Sequence, residues 1–136
     1  MPAVFICTAC SVELTDFLNE EALSLYTQRI DGMLIPQGCF ARVERPISRQ
    51  DLYGLRFADR LEGELEIVQR GDFLVNVEDL RCEMHRDAQF GCCGYVGDFA
   101  PNASCPNRHP VATVHSDCWH SPFARLILGA VAAVYL

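Results

Sequence analysis

The sequence predicts an α+β fold that is mostly strand, with inserted hairpins and one or two helices. Three observations lead there. Several short segments alternate apolar and polar residues with period two, the signature of half-buried strands. One segment, residues 15–30, instead spaces its apolar residues at helical intervals. Soft metal-ligand residues sit at both ends of the chain, as Cys7-Thr8-Ala9-Cys10 and as Cys105-Pro106-Asn107-Arg108-His109.

In chain order, residues 3–7 (Ala-Val-Phe-Ile-Cys) read as a strand feeding the Cys-x-x-Cys turn. Phe17, Leu18, Ala22, Leu23, Leu25, Tyr26 and Ile30 follow at roughly helical spacing, with Thr15 as N-cap and Gly32 as stop. Pro36-Gln37-Gly38 turns into a strand over 39–44 that places Cys39, Ala41 and Val43 on one buried face. Residues 45–62 are charged and irregular, with Ser48 capping a short helix around 50–55. Segments 64–69 and 73–77 alternate on either side of Gln69-Arg70-Gly71-Asp72, where glycine suits a positive φ, so a hairpin is expected. Residues 111–120 alternate again, putting Cys118 and His120 on the face of Ala112 and Val114. The tail, 126–136, is almost wholly apolar, and eleven residues fall short of the roughly twenty that a spanning helix needs. It reads as a buried terminal element or as a docking segment.

With 136 residues, the chain suits one domain, 1–136, able to bury roughly two-thirds of its unfolded surface. Half the residues are hydrophobic and 21% are charged, as in ordinary globular proteins. A net charge of −7 argues against a nucleic-acid backbone as the main partner, because such binding runs on clustered Lys and Arg. The N-terminus lacks the basic n-region and long apolar stretch of a secretory signal, so the expected compartment is the cytoplasm. Thiols stay reduced there, and the eight cysteines then read as ligands or buried thiols before they read as disulfides. No phosphate loop, dinucleotide fingerprint or nucleophile elbow fits the glycine spacing.

The chemistry lies in the cysteines and histidines. A strand running into Cys-x-x-Cys and a small residue is a knuckle: its turn aims two thiolates at one point. Cys105-x-x-x-His109 wraps one ion equally well, so the first expected site is Cys7, Cys10, Cys105 and His109. A second, looser cluster comprises His85, Cys92, Cys93 and Cys118, with His115 and His120 nearby. Gly91 and Gly94 flank the double cysteine and allow a tight turn. Sulfur-rich sites with some imidazole favour Zn2+, whereas iron–sulfur clusters prefer four cysteines at more regular spacing. The mostly-β fold is then a zinc-ribbon-like unit stapled by its metal. The competing readings are a redox pair at Cys7 and Cys10, and a Cys/His hydrolase or transferase built on Cys92 or Cys93, His85 and Asp87 or Asp117. A catalytic zinc using Asp98 or Asp117 as base is a further alternative.

A wider pattern runs through these residues: Cys7-x-x-Cys10, Gly91-Cys-Cys-Gly94, Pro101-Asn102-x-x-Cys105 and Ser116-Asp-Cys-Trp119. It resembles a group of small bacterial cytoplasmic proteins with expected zinc ligands and no assigned activity. That resemblance implies a metal site but supplies no reaction. In the group's pattern a Cys-x-Cys-Gly knuckle begins at the Cys105 position; here Asn107 and Arg108 stand instead, so either His109 replaces the missing ligand or the site is weakened. The function expected from all this is a structural-zinc protein that acts by binding another macromolecule, a protein partner, rather than by catalysis. A metal- or cysteine-dependent enzyme and a thiol-based redox or metal sensor are the alternatives.

Overall fold

The structure, a computed structural model, describes residues 1–23, 34–48, 66–91, 94–97, 100–116 and 122–136. These residues form strands β1 (Ala3–Cys7), β2 (Asn19–Glu20), β3 (Cys39–Arg42), β4 (Ile47–Ser48), β5 (Glu66–Val68) and β6 (Phe73–Val75). After a 3₁₀ turn, Val77–Asp79, come β7 (Glu83–Met84), β8 (Ala103–Ser104), β9 (Pro110–His115), β10 (Phe123–Leu126) and β11 (Val131–Tyr135).

The centrepiece is a seven-stranded sheet in the order β2-β3-β6-β10-β9-β8-β7. Strands β7 to β10 form an antiparallel meander, β6 and β3 continue it antiparallel, and β2 closes the edge in parallel with β3. Because side chains alternate across a strand, the register predicts which residues share a face. Phe40, Val75, Ala124 and Val114 lie opposite one another in a row across four strands. All four belong to the main core cluster, together with Ala3, Phe5 and Cys7 of β1. Phe5 seals that contact by meeting Phe40 and Phe73 edge-on, at 5.2 and 5.1 Å between ring centres. So β1, paired antiparallel with β11 over its whole length, forms a second layer over this face. The other face carries a smaller cluster of Ile35, Ala41, Val43, Val68, Leu74 and Phe123. Cys39 packs against it, so Cys39, Ala41 and Val43 do share one face, as the period-two pattern requires.

The helical content expected of an α+β fold is absent: among the described residues there is no α-helix, and the protein is mostly β. The segment starting at residue 15 forms no helix through residue 23: it bends at 15–16, bridges β1 at Leu18 and supplies β2. Its remainder, 24–30, lies outside the described residues, as does the helix expected around 50–55. Here tertiary pairing overrides a local period. The free edge of β1 takes residues 12–18 as its partner, through backbone bonds from Cys7 to Val12, Leu14 to Phe5, and Ala3 to Leu18. Thr15 caps nothing; its hydroxyl accepts the Phe5 N–H. Leu14 and Leu18 are both buried, and their four-residue separation comes from this irregular clamp rather than from a helical turn.

The expected hairpin around Gly71 is also corrected. The turn forms, with Gly71 at φ +93° and the Asp72 N–H bonded to the Gln69 carbonyl. Yet β5 pairs with β4 in a separate two-stranded sheet, while β6 enters the seven-stranded one. Nor is the architecture a ribbon with insertions, since its two knuckles hang from different sheets: one follows β1, the other links β8 to β9. The apolar tail is divided between the end of β10 and β11, whose last two residues are exposed along with Leu136.

Candidate metal centre

Both knuckles are made by short turns at strand ends. In the first, the Cys7 carbonyl accepts the Ser11 N–H at 2.7 Å, and the Cys7 N–H returns to Val12 at 3.0 Å. Closing so tight a turn puts Ser11 at φ 62°, in the left-handed region. In the second, the Cys105 carbonyl accepts the Arg108 N–H and the Cys105 N–H reaches the His109 carbonyl, both at 2.8 Å. Arg108 takes φ 69° there, a conformation that glycine would adopt at less cost. The two turns therefore do the same backbone work with different residues.

Their side chains converge. Cys7, Cys10, Cys105 and His109 each offer one donor atom, and all four atoms lie within 4.8 Å of one another. Cys10 Sγ is 3.8 Å from Cys105 Sγ, and His109 Nδ1 is 3.4 Å from the same sulfur. Cys7 and Cys105 are fully buried in the main core, while Cys10 and His109 are half-buried, so the group sits at the rim of the core.

The surroundings prepare the sulfurs unequally. Burial pushes the Cys7 thiol up, although the Cys10 and Ala9 amides directed at its sulfur oppose this. Cys10 is pulled down to about 6, chiefly by the Asn107 side chain and then by the Val12 amide. The His109 N–H bonds to the Cys105 sulfur at 3.4 Å. Such amide-to-sulfur bonds favour thiolate, the form that binds metal. In the sequence Asn107 shows only as the position where the Cys-x-Cys pattern lacks its second cysteine. Its role is to supply a donor to Cys10 across the gap between knuckles, and no spacing rule signals that.

Most of the second expected cluster falls outside the described residues. Cys92, Cys93, Cys118 and His120 lie outside them. His85 stands apart from the four donors, its Nε2 2.6 Å from the hydroxyl of Ser104. His115 is buried and stacked on Phe123 at 4.6 Å, with Gly97 so close to the ring that any β-carbon would collide with it. Cys82 is a half-buried thiol against the main core, pushed up by burial.

Fold and cluster together define a mostly-β protein with a Cys3His group positioned to bind a metal ion. No family model matches the chain, and no curated protein or solved structure is detectably similar to it. The group itself is thus the basis for a functional reading. No helix among the described residues is long and apolar enough to cross a membrane.

Proposed function

We propose that Cys7, Cys10, Cys105 and His109 hold a structural Zn2+ ion, and that the protein is a non-enzymatic module that binds a protein partner. The spacing of the donors carries this reading. Zinc–sulfur bonds near 2.3 Å in a tetrahedron put sulfurs about 3.8 Å apart, and an imidazole nitrogen about 3.6 Å from each sulfur. In the structure Cys10 and Cys105 are 3.8 Å apart, and Cys105 and His109 3.4 Å. Three thiols and one imidazole fill four positions and leave none for a water nucleophile, the pattern of a structural rather than a catalytic ion.

The site joins the β1–β11 layer to the β8–β9 turn, stapling the chain, 1–136, as one unit. A structural zinc ion contributes on the order of 10 kcal/mol in small peptides, comparable to the roughly 5–15 kcal/mol that keeps a domain folded. The binding role draws support from the exposed apolar side chains Leu128, Val134, Tyr135 and Leu136, which lie in or beside the terminal strand β11. Such side chains gathered on an edge strand favour contact with another chain.

The test is elemental analysis of protein purified without added metal, beside thiol counting under native conditions. One zinc per chain is expected, with the thiols of Cys7, Cys10 and Cys105 shielded until a chelator is added. A folded protein free of zinc, with those thiols open to reagent, would refute the reading.

A further inference from the structure

We propose that this clasp has two chemical forms, and that a hydroperoxide converts the metal-bound form into a disulfide between Cys10 and Cys105. The inference rests on the zinc reading above and concerns how the site responds to oxidant.

Three features point to this pair. Cys10 and Cys105 belong to different knuckles, 95 residues apart in sequence, yet their sulfurs are 3.8 Å from each other. Of the three thiols, Cys10 alone is partly exposed, so a small oxidant meets it first. Cys105 and Cys7 are fully buried, which suits the role of resolving thiol rather than first target. A bond between Cys10 and Cys105 also keeps the two layers tied after the ion has gone, whereas a bond between Cys7 and Cys10 would close within one knuckle and free the other.

The chemistry balances. The Cys10 thiolate attacks one peroxide oxygen, the O–O bond breaks, and the product is a sulfenic acid with hydroxide leaving. The Cys105 thiolate then attacks that sulfur, forming S–S and expelling a second hydroxide. Two protons convert the hydroxides to water. Each sulfur is oxidised by one electron and hydrogen peroxide is reduced by two. Zinc keeps its +2 charge throughout. Left with only Cys7 and His109, it departs.

The experiment uses the full chain, its zinc content measured first, then treated with one equivalent of hydrogen peroxide. Zinc release is followed with a chromogenic chelator, and disulfides are mapped by mass spectrometry without reduction. One zinc released for each Cys10–Cys105 disulfide is expected, with zinc binding restored by a phosphine reductant. Cys39→Ser and Cys82→Ser variants should release the same amount, which separates the clasp from the other described thiols. Zinc retained under peroxide, or released with a Cys7–Cys10 bond or any other pairing, would overturn the inference while leaving the zinc site standing. Absence of zinc before oxidant would instead defeat the function proposed above.

Discussion

At the scale of single residues, Cys10 and Cys82 make a controlled comparison. Each is partly buried beside the same core. Cys10 has the Asn107 side chain and the Val12 amide directed at its sulfur, which lowers its pKa to about 6, whereas burial raises that of Cys82. Hydrogen bonding to the thiolate wins over desolvation at Cys10, and desolvation acts alone at Cys82. In metal-free protein, alkylation of Cys10 by iodoacetamide should therefore rise through pH 6 and level off by neutrality. The Cys82 profile should have its midpoint above the ordinary thiol value of 9.0. The linkage has a definite sign. A depressed pKa means that the Cys10 thiolate stabilises the fold fully above the unfolded value, progressively less as pH falls toward 6, and not at all below it. Asn107→Ala should shift the Cys10 profile upward, and peptide-resolved mass spectrometry reads both residues in one sample. Coincident profiles for the two cysteines would contradict this account. Each knuckle, Cys7 with Cys10 and Cys105 with His109, was legible in the sequence because knuckle spacing is local chemistry. The contribution of Asn107 was not, since it depends on two turns meeting in space.

At the scale of elements, strands that end in a ligand or a tight turn could be read, and partner choice could not. The strand over residues 3–7 is β1, and the buried face of Cys39, Ala41 and Val43 follows from period two alone. Residues 15–23 misled because Phe17, Leu18, Ala22 and Leu23 stand at helical intervals, yet the unpaired edge of β1 takes Leu18 into a bridge and leaves Phe17 exposed. The Gly71 turn was legible from its glycine, but the strands on either side go to different sheets, which only long-range packing determines. That turn also supplies a buried ion pair. Asp72 accepts the Gln69 N–H at 2.8 Å and lies 3.9 Å from the Arg125 guanidinium, with side chains 3% and 14% exposed. On the next strand the Thr113 hydroxyl accepts a hydrogen bond from Arg125 at 3.3 Å. Removing the carboxylate strands a guanidinium between strands and frees a turn amide. Asp72→Ala should cost about 3 kcal/mol in urea unfolding. Arg125→Met, which removes the charge and keeps the stem, should cost clearly less. Equal losses would mean that packing, not the charge left behind, governs this position.

At the scale of the whole molecule, the two layers have largely separate backbone networks. The bonds of β1 go to β11 on one side and to residues 12–18 on the other, while the seven-stranded sheet is bonded within itself. Among the described residues the polar links between the layers are few: an Arg81 N–H donated to the Leu14 carbonyl, Arg81 ion pairs with Glu13 and Asp16, and an Arg42 hydrogen bond to the Tyr135 hydroxyl. The rest of the contact comes from the side chains of the main core and the Cys3His group at its rim. A metal ion held there would act as a bolt between layers rather than as support for either sheet. Local stability should follow that division, since elements open in cooperative units set by their own contacts. In hydrogen exchange, chelating the metal should speed exchange in β1, residues 12–18 and β11 by tenfold or more. Amides of β6, β9 and β10, paired on both sides within their own sheet, should change far less. Cys105→Ser should give the same pattern without chelator, because it removes one of the two donors, Cys105 and His109, that the larger sheet's side contributes to the clasp. A uniform acceleration across both layers would mean that the ion supports the entire fold. No acceleration in β1 would mean that aromatic packing of Phe5 against Phe40 and Phe73 already suffices to hold the layers together.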